Sequence, residues 1–209
     1  MPHVLLATRN AGKIREIRAI AAGLPLVWHG LDEFRVAPDA AEQGATFAEN
    51  ARLKALFYYG CCGAQAGMAV LADDSGLEVD ALGGAPGVHS ARYAGTPRDD
   101  AANNRKLVQA LAGVPPERRT ARFRCAMALA WEGRVVLETD GTFEGRISDV
   151  PRGTNGFGYD PHFLAPELGR TAAELPAEQK NALSHRGRAL RAMLAQMEPF
   201  FRALGQWSA

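Results

Sequence analysis

The apolar run Met68-Ala69-Val70-Leu71-Ala72 leads directly into Asp73-Asp74-Ser75-Gly76-Leu77. Five such residues predict a buried strand, with Leu77-Glu78-Val79 beginning another, so the two carboxylates emerge where a strand ends. That is where α/β proteins place their chemistry. Adjacent carboxylates repel each other and resist desolvation unless a cation lies near, and a hard divalent ion held by oxygen is the usual remedy. Asp, Ser and Gly are also turn formers, and taken alone the stretch reads first as a solvated turn. Other segments have to decide.

Val4-Leu5-Leu6-Ala7 reads as a second short strand, and Ile14, Ile17 and Ala21 recur after it at helical spacing. Between them, Thr8-Arg9-Asn10-Ala11-Gly12-Lys13 opens a helix whose first N–H groups and Lys13 suit an anion. It lacks Walker A spacing, and a merely capped helix is an equal reading. Further on, Leu26-Val27-Trp28 fits a strand, and Thr46-Phe47-Ala48-Glu49 matches a capping box. Asn50 and Lys54 then share one helix face. Thr96-Pro97-Arg98-Asp99 predicts a helix start with Thr as cap and Pro at the first position, with Leu107 and Leu111 on its buried side.

Ala121 to Trp131 and Arg134 to Thr142 predict antiparallel strands joined at Glu132-Gly133, which makes the sheet mixed. Thr154-Asn155-Gly156-Phe157-Gly158-Tyr159-Asp160-Pro161 is too rich in glycine for a helix or central strand and leaves its aromatics on an accessible loop. In the last helix Leu190, Met193, Leu194, Met197, Phe201 and Leu204 form one apolar stripe, with Pro199 as a kink. Ser184 is placed to cap that helix, but His185 and Arg186 put cationic groups at the positive end of its dipole. That placement asks for a functional reason.

Composition narrows the classes. A chain of 209 residues, 47% hydrophobic and 22% charged, suits one well-buried globular domain, or two lobes sharing a core. A formal net charge of +1 argues against a general nucleic-acid binder. Cys61, Cys62 and Cys125 are an odd set that fits a reducing cytoplasm, and the Cys61-Cys62 pair reads as helix core. The histidines lack zinc-ligand spacing and no apolar run reaches membrane-spanning length. A Ser-His-Asp hydrolase is disfavoured because Ser75 lacks the glycines of a nucleophile elbow.

An anion-binding helix start, a carboxylate cluster, and an aromatic loop followed by Lys180, His185 and Arg186 together match what a nucleoside triphosphate needs. The chain resembles the inosine triphosphate pyrophosphatase family. The likeness is carried by Thr8-x-Asn10-x-x-Lys13, by Thr46-Phe47-x-Glu49-Asn50-Ala51-x-x-Lys54-Ala55 and by Asp73 to Leu77. Pro86-Gly87 with Ser90 to Tyr93, Gly156 to Pro161 with Phe163, and Ser184-His185-Arg186 complete it. These pieces run in family order over nearly the whole chain.

The resemblance implies an α/β fold with a long mixed β-sheet bent between two lobes, flanking helices, a central nucleotide cleft, and a homodimer in the cytoplasm. It implies Asp74 as general base, and Glu42 and Asp74, with Asp73 less firmly, as holders of Mg²⁺. Thr8, Arg9, Asn10, Ala11, Gly12, Lys13, Lys54 and Ser75 would serve the phosphates; Phe157, Gly158, Tyr159, Asp160, Lys180, His185 and Arg186 would hold the base. The reaction implied converts ITP, dITP and XTP to monophosphate and pyrophosphate. The rivals are a Maf-like pyrophosphatase of related fold, a non-catalytic nucleotide sensor and a reader of unusual bases in nucleic acid.

Overall fold

A computed structural model of the chain describes residues 1–34 and 38–207. It is mixed α/β, with a seven-stranded sheet in the order β2-β1-β3-β4-β5-β6-β7. Strand β1 (His3–Leu6) pairs in parallel with β2 (Val27–Gly30) and with β3 (Ala69–Val79), and the helix α1 (Ala11–Ile20) makes the β1–β2 crossover. Between β2 and β3 come α2 (Phe47–Tyr58), a π-helical turn, and the short α3 (Ala64–Ala66). The helix α4 (Asp100–Ala110) precedes β4 (Thr120–Trp131), which is followed by β5 (Arg134–Ile147). Glu132 and Gly133 both have positive φ, 51° and 74°, which gives the two-residue turn of a tight antiparallel hairpin. Antiparallel pairing continues through β6 (Phe163–Ala165) to β7 (Arg170–Thr171), and the chain ends with α5 (Ala177–Leu183) and α6 (His185–Ala203).

Two compact units divide the chain. The first comprises Met1–Asp74, Cys125–Gly141 and Arg186–Ala209; the second comprises Ser75–Arg124 and Thr142–His185. In the first, Val4, Leu6, Ala69, Leu71, Met127 and Leu129 of the sheet are buried with Ile17 of α1 and Leu190, Met193, Met197 and Phe201 of α6. The stripe on α6 is therefore core at Leu190, Met193, Met197 and Phe201, with Leu194 partly buried, while Leu204 lies just past the helix and is exposed. In the second, Leu107 and Leu111 join Leu77, Val79, Phe123, Phe143, Tyr159 and Phe163.

Two local expectations are corrected. The helix α4 starts at Asp100, not at Pro97, and its cap is Asp99, whose carboxylate accepts from the Ala102 N–H at 3.0 Å. Asp outranks Thr as a cap and is favoured further by the helix dipole. Likewise β3 does not end at Asp73 and no second strand begins at Leu77: one strand of 11 residues runs through the whole Asp73–Leu77 stretch. Pairing with β1 stops at Leu71, so the extended backbone beyond it goes with the neighbour on the other side, β4, and this tertiary setting overrides the turn preference of Asp, Ser and Gly.

Candidate active site

Strand geometry separates the two aspartates. Successive side chains on β3 point to opposite faces, so Asp73 lies on the face of Ala69 and Leu71, and Asp74 on that of Val70 and Ala72. Asp73 accordingly meets α1 and α6: its Oδ2 is 3.0 Å from Lys13 Nζ and 3.3 Å from Arg186 Nε. Asp74 meets α2, where Lys54 Nζ donates to Oδ1 at 3.0 Å and Asn50 Nδ2 to Oδ2 at 3.1 Å. Both carboxylates are buried, 3% and 5% exposed.

Each ion pair is extended by one more carboxylate. Lys54 Nζ also lies 3.2 Å from Glu42 Oε1, and the Arg186 guanidinium is bound to Glu16 of α1. Glu42 is held near α2 by its own segment: the Gly44 N–H donates to Asn50 Oδ1 at 2.8 Å, and the Ala45 and Thr46 N–H groups donate to Glu49, which completes the capping box. The cationic start of α6 now has its reason, since Asp73 and Glu16 outweigh an unfavourable dipole at Arg186.

The environment drives the two aspartates apart electrostatically. Burial alone would raise both. For Asp73 it is outweighed by Lys13 and Arg186, and the carboxyl is held well below its ordinary range. For Asp74 burial prevails over Lys54 and Lys13, with Glu42 adding to it, and the carboxyl is pushed up. Burial opposes the charge of Lys54, but Asp74 and Glu42 overcome it and keep the ammonium protonated.

At the start of α1, Asn10 is the N-cap: its Oδ1 accepts from Gly12 N at 2.9 Å and Lys13 N at 3.3 Å, while Thr8 Oγ1 accepts from Asn10 N at 3.2 Å. The first-turn donors expected to meet an anion are thus partly capped from within by Asn10. Arg9 is exposed and paired with Asp39; Ala11 is exposed and Gly12 buried. Ser75 follows Asp74 in β3 on the face of Asp73.

The second unit builds a different arrangement. Asp160 Oδ2 accepts from the Phe157 N–H at 2.8 Å and from Lys180 Nζ at 2.5 Å, and Lys180 Nζ lies 5.1 Å from the centre of the Phe157 ring. Gly156, at φ +75°, has no room for a side chain, because a Cβ would fall 2.0 Å from Asp160 Oδ2. His185 is stacked on Phe123, with centroids 4.9 Å apart and 17° between planes. Tyr159, expected to face a base, is instead 5% exposed within the core, and its hydroxyl donates to the Ser90 carbonyl at 2.7 Å. A buried ring with a satisfied hydroxyl anchors the loop.

Several partners escaped the sequence reading. Glu16 is three residues beyond Lys13 on one helix face, the signal that could have exposed it. Asn104 and Asp100, which hold Gly158, stand on α4, a helix with no other mark of function. Among the described residues, no group of three or more His, Cys, Asp or Glu forms a ready metal cage, and no helix is long and apolar enough to cross a membrane. The three cysteines are free thiols; Cys61 and Cys62 sit in the π-helical turn with their sulfurs 3.4 Å apart, and burial pushes the Cys62 thiol up to about 11.

Known proteins share this arrangement of sequence and fold. A dITP/XTP pyrophosphatase of Geobacillus kaustophilus is 50% identical over 206 residues, 99% of each chain, and one of Geobacter sulfurreducens is 53% identical over 190 residues, 91% of this chain and 94% of that one. A HAM1 protein structure from Coxiella burnetii matches with a TM-score of 0.83 at 42% identity, covering 94% of this chain and 98% of the other. A nucleoside-triphosphatase / dITP/XTP pyrophosphatase structure from Mycobacterium abscessus matches with a TM-score of 0.72 at 44% identity, covering 92% and 98%. The Ham1 family model matches residues 4–196, a span that includes every candidate residue from Thr8 to Arg186. By motif order, fold and sequence, the chain belongs to the Ham1 family.

Proposed function

We propose that the chain hydrolyses deaminated purine nucleoside triphosphates, ITP, dITP and XTP, to the monophosphate and pyrophosphate, and so clears them from the cytoplasmic nucleotide pool. The observation that carries this reading is the buried Asp73–Asp74 pair interleaved with Lys13 and Lys54. The dITP/XTP pyrophosphatases about half identical to it over nearly full length support the substrate class.

Asp74 accepts the proton of the water that attacks the α phosphorus, a role suited to a carboxyl whose proton affinity burial has raised. Lys13 and Lys54 bind phosphate oxygens, with Thr8 and Ser75 as hydroxyl partners. Arg186 acts through Asp73, keeping that carboxylate ionised and Lys13 in place. No covalent intermediate is required.

The residues fit Mg²⁺. Glu42 and Asp74 already converge on a cation, the Lys54 ammonium, at 3.2 and 3.0 Å, and they offer only hard oxygen donors. Magnesium takes one or two carboxylates together with waters and phosphate oxygens, which matches the two converging carboxylates. Glu42 and Asp74 would hold it, with Asp73 behind them, and when bound it supplies neutralising charge for the departing pyrophosphate.

Base choice falls to the second unit. Phe157 gives a stacking face, and Lys180, fixed by Asp160, gives a donor for the 6-oxo group of hypoxanthine or xanthine, with His185 as a further polar partner. Adenine presents a donor at that position, and an opposed buried hydrogen bond gives discrimination of roughly 10⁴. A homodimer follows from the same family reading, and exposed Leu53, Leu56 and Phe57 on one face of α2 are apolar surface suited to it; light scattering checks the mass in solution. The reaction is tested by product analysis. Pyrophosphate from ITP, dITP and XTP, with far slower turnover of ATP and GTP, is the expected result; orthophosphate as product, or equal use of ATP, overturns the bond cleaved or the selectivity.

A further inference from the structure

Asp100 and Asn104 stand one turn apart on α4 and reach the same glycine. The Gly158 N–H donates to Asp100 Oδ2 at 3.0 Å, and the Gly158 carbonyl accepts from Asn104 Nδ2 at 2.8 Å. Those two groups belong to the peptides on either side of Gly158, so holding both fixes its backbone rotation at φ +64°. Glycine is the residue with most freedom to leave such a conformation. The clamp removes that freedom at the position next to Phe157.

Asp100 is itself fixed. Arg98 binds it through Nε at 2.8 Å and Nη2 at 3.1 Å, and the same guanidinium lies 6.0 Å from the Phe157 ring centre. Asn104 is fixed by a second bond, from Nδ2 to the Asp100 carbonyl at 2.9 Å. The neighbouring Asn103 does a separate task, joining the Ala94 N–H and the Ala91 carbonyl at 2.7 and 3.2 Å. Adjacent asparagines therefore divide between packing α4 and holding the loop.

We infer that Asp100 and Asn104 are positioning residues for base selection: by clamping Gly158 they set the direction in which Phe157 presents its ring beside Lys180. They govern how tightly and how selectively a purine base is held, and take no part in the hydrolytic step. This rests on the reading of the 154–161 loop as the base site.

The test uses the full chain and three substitutions. Asn104→Asp is nearly isosteric but replaces the donor with an acceptor, Asp100→Ala removes the acceptor, and Asp100→Asn keeps an acceptor for the Gly158 N–H. Asn104→Asp and Asp100→Ala should raise KM for ITP roughly ten-fold with kcat within about two-fold, and should narrow the preference for ITP over ATP. Asp100→Asn should recover most of the loss, and ribose 5-triphosphate, which has no base, should be used equally by all. Unchanged KM and preference in folded variants, or equal losses on the base-free substrate, overturn the clamp; if Asp100→Ala does not fold, Asn104→Asp decides. Calorimetric titration with inosine monophosphate separates the two layers. An inactive wild type whose affinity for it still falls roughly ten-fold in Asn104→Asp overturns the reaction and keeps the clamp. An active wild type with clamp-independent affinity does the reverse, and a wild type that neither hydrolyses ITP nor binds the monophosphate overturns both.

Discussion

In the first unit Glu16, Glu42, Asp73 and Asp74 are interleaved with Lys13, Lys54 and Arg186, whereas the second sets Asp160 against Lys180 beside the ring of Phe157. Partners in the first cluster are shared: Lys54 serves two carboxylates and Asp73 two cations. Under the proposed function, a triphosphate would take over the lysines and a divalent cation the carboxylates they release, with no charge left buried and alone. The Lys180–Asp160 pair, by contrast, has one cation facing one carboxylate, which also accepts from the Phe157 N–H. Rate should therefore depend on the first cluster and choice on the second.

The largest expected effects follow from removing parts of the first. Asp74→Asn keeps the shape but removes the proton acceptor, and kcat should fall by about 10²–10⁴ with circular dichroism unchanged. Chelation of divalent cations should stop turnover while leaving inosine monophosphate bound by the second unit. Near-normal turnover in folded Asp74→Asn moves the base elsewhere, and loss of that binding on chelation removes the division between the units.

Lys180→Met should act on choice more than rate. The preference for ITP over ATP should shrink by about 10² or more, read as the ratio of kcat/KM values. It also strands Asp160 without its ammonium, at a cost of roughly 3–5 kcal/mol in stability, so the ratio is compared only at temperatures where the variant is folded. An unchanged ratio with a uniform loss on both nucleotides would return Lys180 to a structural role.

The order of these effects mirrors what sequence could reveal. Side chains carried by local motifs, Lys13, Lys54, Asp73, Asp74 and Asp160, stand in the two clusters, but Arg186, expected beside the base, is bound to Asp73 and Glu16 in the first. The strand through Asp73 is not legible because turn propensity is local, while the neighbour that overrules it, β4, begins more than 40 residues later in the chain. Tyr159 was misjudged for a like reason: a loop of glycines predicts accessible rings, yet its partner, the Ser90 carbonyl, is 69 residues away. Asp100 and Asn104 gave no signal, because a clamp on a main-chain group imposes no pattern on the sequence it holds.

Acidification should separate the two aspartates. Asp74 is raised, so it gains its proton first, and as pH is lowered kcat/KM should begin to fall before an ordinary carboxylate would be protonated. Asp73 is lowered, so the stability it lends is present in full above its unfolded value and is lost only as pH falls through its depressed folded value. Activity should thus decline in a pH range where the fold is intact, as followed by a pH–rate profile beside a pH–unfolding curve. Coincident loss of both would show that the aspartates titrate as one unit.

Glu16→Gln should have the smallest effect and tests whether the first cluster is a network or a row of pairs. Arg186 is 2% exposed and bound to both Glu16 and Asp73. Gln keeps a hydrogen-bond acceptor but removes the charge, leaving Asp73 to balance Arg186 and Lys13 together. A loss of about 1–2 kcal/mol is expected, below the cost of a fully broken buried pair because one carboxylate remains. If the cluster is a network, Asp73 is drawn toward Arg186 and Lys13 is loosened, so KM for every triphosphate should rise by about two- to five-fold with the ITP-to-ATP ratio unchanged. Stability loss with no change in KM would mean that Glu16 neutralises Arg186 alone. A change in the ratio would overturn the assignment of base choice to the second cluster alone.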